Sequence, residues 1–269
     1  DKKTLSFKKY AAITFDDGYI DNYITARPLL EQYGLPATFF ITHQNIDMSK
    51  EFWWDELERI ILHRTDLPSQ LQVKISGEEF KYQTDPYKES SLILAYFQNP
   101  LSNVPNLDLY INLWKRLLPL PALQQQQVMN ELRIWTGESN IARKEYCCMN
   151  AQQLLELSSS DNFEIGVHTA SHPALSYHSK EYQVKEIASN KTWLEQLTKR
   201  RMRYCAYPYG NYNETTVGIL RDLSFDAALT TNAGIVKKDS NCFELGRFQV
   251  KNWNGHEFKR HLLSWIKAH

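Results

Sequence analysis

The chain has 269 residues, 42% of them hydrophobic and 23% charged, enough to bury a sizeable core in one large α/β domain or two small ones. Its 31 basic and 31 acidic residues cancel, which excludes the cationic surplus of a protein that binds nucleic acid by neutralising phosphates. The 4 cysteines, two of them adjacent at Cys147 and Cys148, make neither a metal-ligand spacing nor the disulfide framework of a small secreted domain.

Residues 10–15 read as a short buried strand that stops at Asp16-Asp17-Gly18, three residues disfavoured in strands. An amphipathic helix follows over about 22–33, closed by Gly34 and Pro36, and a second apolar run begins at Ala37. This is a β-α-β unit and implies a parallel pair. From about 48 to 148 the pattern becomes mostly helical, with helical spacing at 52–62, 92–97, 109–118 and 124–135. One short β excursion at 71–75 precedes Gly77, and Pro100, Pro105, Pro119 and Pro121 separate helices. The alternation resumes with a helix capped by Asn150 and a strand at 163–168, then a long helix at 180–198 and the stretch Tyr204 to Gly210. A helix at 214–222, strands at 227–230 and 243–250 and a helix near 256–267 complete the chain. Repeated strand-helix order predicts a (β/α) barrel or doubly wound sheet, with its active site at the C-terminal ends of the strands.

At those ends stand Asp16-Asp17 and His168-Thr-Ala-Ser-His172. Taken separately, the first is an ordinary solvent turn and the second a pair of surface histidines at a helix start. Together they supply a two-His, one-carboxylate set that leaves open positions for water and substrate, as hydrolytic metal sites require. Adjacent carboxylates can also divide the work, one ligating a metal while the other accepts a proton.

The sequence resembles the polysaccharide deacetylases of the NodB-homology type (carbohydrate esterase family 4). Thr14-Phe15-Asp16-Asp17-Gly18 matches the first motif of that family, His168 to His172 the second, and Ala206-Tyr207-Pro208-Tyr209-Gly210 a variant of the third. Phe52-Trp53-Trp54-Asp55-Glu56-Leu57 looks like the start of an insertion found in one branch. The resemblance implies a distorted or incomplete (β/α) barrel of about seven parallel strands, with residues 1–269 as one domain and 48–148 as a mostly helical insertion. It implies one divalent ion, usually zinc, on Asp17, His168 and His172, with Asp16 as catalytic base. The metal would polarise the acyl carbonyl and the attacking water, and the Tyr209 backbone N–H would join it in stabilising the oxyanion. The reaction implied is removal of an N-acetyl or other N-acyl group from a sugar, in a polysaccharide, a glycolipid or a glycan precursor. Two other readings stand beside it: hydrolysis of a small cyclic amide or formamide, and an inactive sugar-binding module.

Two departures from the family pattern matter. Ala206 stands where an Arg usually orients the base, and Arg247, late in the chain, is the candidate replacement, although it could equally pair with a surface carboxylate. The Leu-x-His that would supply the general acid is absent; His43 and His256 are possible substitutes, and the acid is left unassigned. Trp54 is the candidate for stacking on a sugar ring, with a helix-start anchor as the other reading for Trp53 or Trp54. Apolar runs such as 11–15 and 37–41 are too short to cross a bilayer, and no charged-then-apolar segment opens the sequence, so a cytoplasmic enzyme with a carbohydrate substrate is expected.

Overall fold

The computed structural model describes residues 10–62, 64–84 and 106–267. The helix expected at 92–97 lies outside them.

Five strands, β1 (Ile13–Phe15), β2 (Ala37–Ile41), β5 (Phe163–Val167), β6 (Tyr204–Ala206) and β7 (Ala227–Leu229), pair in chain order, every pair parallel. Because each strand docks on the same side of its predecessor, the sheet curls into a half-barrel, and the expected incomplete (β/α) barrel is borne out. The order follows from the connections. α1 (Arg27–Tyr33), entered through a helical stretch at Asn22–Ala26 and ended by a left-handed Gly34, returns the chain from β1 to β2. α5 (Ala151–Ser158), which follows the insertion, α6 (Lys180–Thr198) and α7 (Glu214–Asp222) alternate with β5, β6 and β7. Asn150 caps α5 as expected, accepting the Gln153 N–H while the Gln153 side chain accepts the Asn150 N–H. β2 and β5 are buried along almost their whole length, as strands covered on both faces must be. Gly166 sits where a Cβ would come within 2.4 Å of the Phe40 ring, so only glycine lets β2 and β5 approach at this register.

The count of about seven parallel strands is corrected to five regular ones among the described residues. The strand expected at 243–250 survives as a single parallel pairing, Leu229 with Leu245, flanked by Ala228 N–H to Cys242 C=O at 2.8 Å and Thr230 N–H to Leu245 C=O at 2.9 Å. Beyond Leu245 the chain leaves the sheet: Gly246 packs against the backbone of Asn232 and Gly234, and Arg247 N–H bonds Asn232 C=O at 3.0 Å. α8 (Gly255–Lys267) then stacks Trp265 on Phe248 and His261 on Trp253.

Between β2 and β5 lie α2 (Trp53–Leu57), continued by a wider-wound turn at Glu58–Leu62, the hairpin β3 (Gln70–Ile75) and β4 (Glu78–Gln83), α3 (Leu107–Leu117) and α4 (Ala122–Thr136). The β excursion is therefore a full hairpin. Leu71, Val73 and Ile75 point inward and Ser76-Gly77, both at positive φ, make its tight turn. These residues join Leu57, Ile60 and Leu113 in a core separate from the one under the sheet. The chain returns beside β1, with Ile20 N–H bonding Cys147 C=O at 2.9 Å and Met149 N–H bonding Gly18 C=O at 3.0 Å.

Candidate metal centre and active site

All parallel strands end on one rim, and each delivers one part of the site there. β1 ends in Asp16-Asp17-Gly18, folded back by Gly18 N–H to Asp16 C=O at 2.9 Å. Asp17 has φ 72 and Gly18 φ 85. A left-handed non-glycine residue costs free energy, and such strain gathers where the surrounding structure dictates a side-chain direction. A Cβ on Gly18 would also lie 3.2 Å from the Ile41 side chain, a tight contact added to the positive φ.

His168 leaves β5 almost wholly buried. Its N–H is shared between Ile41 C=O and Asn190 Oδ1, at 3.2 and 3.1 Å, and Thr42 Oγ1 donates to its C=O at 2.9 Å. Its Nδ1 lies 2.7 Å from Ala206 C=O, so Nδ1 carries the proton and the Nε2 lone pair faces the rim. The next four residues form a tight loop rather than a helix, with Thr169 at φ 66 and His172 at φ 62. Glu186 of α6, a buried carboxylate, accepts Ser171 N–H at 2.8 Å and Ser171 Oγ–H at 2.9 Å. Its backbone C=O accepts Ala170 N–H at 3.0 Å.

The outcome is convergence. Asp17 Oδ1 lies 3.2 Å from His168 Nε2 and 3.2 Å from His172 Nε2, and the donor atoms of the three residues fall within 4.8 Å of one another. Asp17 Oδ1 is buried, and no described N–H or O–H donates to it in a hydrogen bond. Three lone-pair donors facing one another around an oxygen without a proton partner suit a cation, and a carboxylate with two neutral imidazoles is the donor set of hydrolytic divalent sites. Burial alone would raise the Asp17 carboxyl, but the two imidazoles outweigh it and hold the group well below the usual carboxylate range. Burial dominates at His172 and pushes it down, whereas at His168 Asp16 and Asp17 overcome burial and push it up.

Asp16 stands at the edge of this cluster, Oδ2 4.0 Å from His168 Nε2. Arg247 grips it with both arms of the guanidinium, Nη1 to Oδ1 at 2.8 Å and Nη2 to Oδ2 at 2.6 Å. The same side chain donates to Thr14 Oγ1 and Thr230 C=O, both at 3.0 Å, so the fork is fixed from three sides. Asp16 is thus held by an arginine 231 residues away in the chain.

Tyr209 follows β6 in the left-handed region, φ 56, with its ring edge-on to His172 at 4.4 Å. Trp54 also comes to the site, but one ring face is stacked on Phe52 at 4.5 Å and it leans on His172 at 4.7 Å. That face is closed to a sugar. Asp55, in the first turn of α2, accepts Tyr19 Oη–H at 2.5 Å. His43 turns toward α6, stacking on Trp193 with Nδ1 3.0 Å from Asn190 Nδ2, and His256 is exposed at the start of α8. Among the described residues, neither hydrogen-bonds or pairs with Asp16, Asp17, His168 or His172. The supports that sequence reasoning did not find are Glu186, Asn190, Thr230 C=O and Ala206 C=O; a backbone carbonyl carries no sequence signal, and Glu186 and Asn190 sit in a helix of ordinary polar pattern.

A family model described as polysaccharide deacetylase matches residues 5–67 and 120–228, leaving out the middle of the insertion. YxkH of Bacillus subtilis (strain 168), named as a polysaccharide deacetylase, is 36% identical over 62 residues, 23% of this chain and 22% of YxkH, so the alignment spans less than a quarter of either protein. Among solved structures, the Streptococcus pyogenes deacetylase PplD in complex with acetate is 19% identical over 98% of this chain and 73% of that one, with a TM-score of 0.55. BC0361, a polysaccharide deacetylase from Bacillus cereus, is 15% identical over 94% of this chain and 50% of its own, with a TM-score of 0.53. IcaB from Ammonifex degensii is 16% identical over 95% and 72%, with a TM-score of 0.51. At these identities the likeness speaks for the fold. The family match takes in Thr14 to Gly18, His168 to His172 and Ala206 to Gly210 and covers more than half of the chain, which therefore belongs to the polysaccharide deacetylase family.

Proposed function

We propose that this chain is a divalent-metal-dependent hydrolase that removes an N-acetyl group from a sugar, with Asp17, His168 and His172 as the metal ligands and Asp16 as general base. The observation that carries the reading is the convergence of those three donors on the buried, unpartnered Asp17 Oδ1, next to a second carboxylate held off the cluster by Arg247. When bound, the ion, Zn2+ in this reading, supplies Lewis acidity, polarising the acyl carbonyl and acidifying the attacking water. The chain's own residues do the rest. Asp16, with its carboxylate plane set by the Arg247 fork, accepts the proton of the water as its oxygen attacks the acyl carbon. The ordinary cost of holding a carboxylate in one orientation is met before substrate arrives. The backbone N–H of Tyr209, on the left-handed turn against His172, is the proposed oxyanion donor, a contact typically worth roughly 3 kcal/mol of barrier. The C–N bond then breaks, the acyl group leaving as the carboxylic acid and the amine taking the proton that Asp16 accepted from the water.

The experiment is a substrate panel run on metal-loaded and chelated protein: N-acetylated oligosaccharides, a glycolipid precursor and small cyclic amides, with released acetate or ring opening as readout. Acetate from the glycans, lost on chelation and restored by Zn2+, supports the reading. Turnover of the cyclic amides alone moves the assignment to small C–N substrates. Glycan binding without any turnover in the metal-loaded state makes the chain a sugar-binding module.

A further inference from the structure

The two histidines of the cluster are held in different ways. His168 has its Nδ1–H against Ala206 C=O at 2.7 Å, the anchoring that metal-binding imidazoles ordinarily receive. His172 Nδ1 is buried, and none of the described residues accepts from it. Its backbone is fixed, with φ 62 and its N–H on Thr169 Oγ1 at 3.1 Å, but a fixed backbone leaves the ring free to turn about χ2. What restrains the ring is aromatic contact: Tyr209 at 4.4 Å and 77°, Trp54 at 4.7 Å and 51°, Phe52 at 5.9 Å and 63°. Two of these three come from the first residues of the insertion.

Trp54 is itself locked. Phe52 stacks on it, its Nε1–H donates to Tyr19 Oη at 3.1 Å, and Tyr19 Oη–H donates to Asp55 Oδ2. Arg143, at the far end of the insertion, donates to Asp55 C=O at 2.8 Å and to the buried Glu51 carboxylate at 3.1 Å. The turn carrying Trp54 is therefore braced on both sides of the place where the insertion leaves and rejoins the barrel.

We infer that Trp54 is a positioning residue for His172: held by Tyr19 and Asp55, its indole fixes the imidazole by packing and keeps Nε2 aimed at Asp17. Packing here does what a hydrogen bond does for His168. The insertion is then a structural part of the metal centre, and this rests on the reading of Asp17, His168 and His172 as metal ligands.

The test uses the full chain and the metal alone. Zn2+ affinity is measured by competition with a chromophoric chelator, the Co2+ visible spectrum reports ligand geometry, and circular dichroism with thermal melting reports folding. Trp54→Leu keeps an apolar side chain but removes the ring and the N–H; Zn2+ affinity should fall about 10- to 100-fold, the range typical when a ligand loses its outer support, and the Co2+ bands should shift. Trp54→Phe restores a ring and should recover most of the affinity. Asp55→Ala leaves Phe52, Trp54 and Tyr209 in place but frees Tyr19, so it should give a smaller loss in the same direction. A Trp54→Leu protein that binds Zn2+ as tightly as the unmutated chain, while His172→Ala loses the metal, overturns the proposal and leaves the metal site standing. If Trp54→Leu does not fold, Asp55→Ala decides: unmutated affinity and Co2+ spectrum overturn the proposal, and a shifted spectrum with weakened binding supports it. Zn2+ affinity unchanged in His172→Ala sinks the underlying metal assignment instead.

Discussion

Arg247 and Asp16 offer the sharpest test of how the site works, because their pairing is bidentate and neither partner is a proposed metal ligand. The side chains are 20% and 29% exposed, which places the pair between two known limits. A fully exposed ion pair contributes about 0–1 kcal/mol, and rupture of a buried one by removing a single partner costs about 3–5 kcal/mol. An intermediate figure of roughly 2–3 kcal/mol is reasonable, and at about 1.4 kcal/mol per tenfold it corresponds to roughly 30- to 150-fold in rate if the whole of it orients the base. Arg247→Ala should therefore lower kcat/KM for deacetylation by about that factor while stoichiometric metal is retained. Arg247→Lys keeps a charge, but one ammonium cannot serve both Asp16 oxygens together with Thr14 Oγ1 and Thr230 C=O, so about a tenfold loss is expected. Released acetate is followed alongside metal content by elemental analysis and a thermal melt. Turnover at the unmutated rate in Arg247→Ala would refute the positioning argument, and loss of metal in that variant would show that Arg247 supports the metal cluster rather than the base alone.

Asp16→Asn should keep the metal and lose at least about a thousandfold in activity, because an amide preserves shape but cannot accept a proton at neutral pH; simultaneous loss of metal would make Asp16 a ligand. His168→Ala should abolish stoichiometric Zn2+ binding, read by titration, and survival of tight binding would misplace the centre. Gly166→Ala puts a methyl group 2.4 Å from the Phe40 ring and should destabilise the chain by about 1–3 kcal/mol in chemical denaturation, an effect that an unaltered midpoint would disprove. Asp55 has its carboxyl pushed up to about 7, first by burial and then by Asp17 and Glu51, against the pull of Tyr19 and Arg143. The folded state then holds a proton that the unfolded state has released above its ordinary 3.8, so stability should fall as pH rises through the window from about 4 to 7 and level off above it. Asp55→Asn cannot ionise; allowing for partial exposure, the metal-free unmutated chain should lose on the order of 2 kcal/mol relative to it between pH 5 and 8, and parallel stability curves would contradict this.

The parts of this molecule that were legible in advance share one physical property: their determinants are contiguous. The strand-then-Asp-Asp-Gly boundary, the Gly34 stop, the Asn150 cap and the four-residue spacing of the histidines are each set within a few residues, where period and turn chemistry act directly. The paired strand β4 is harder to read because the alternation in Glu79-Phe80-Lys81-Tyr82-Gln83 rests on only two apolar residues, Phe80 and Tyr82, half-buried opposite Val73 and Leu71. The strand expected at 243–250 was over-read for the opposite reason: its apolar residues are real, but Gly246 packs into a neighbouring loop and takes the chain out of register after one pairing.

The site itself divides along the same line. Asp16, Asp17, His168 and His172 could be named because each follows a strand end, yet what makes them a working set comes from elsewhere in the chain. Ala206 illustrates why. Its side chain is wholly buried and its carbonyl takes His168 Nδ1, while the cation on Asp16 comes from Arg247, far along the chain. The same logic governs the insertion. Phe52 and Trp54 look like a helix start in the sequence, but the barrel leaves His172 without a hydrogen bond at Nδ1, and it is that deficit which gives their rings something to do. With Asp17, His168 and His172 read as metal ligands, a change at Phe52 or Trp54 should alter Zn2+ affinity before it lowers the stability of the barrel.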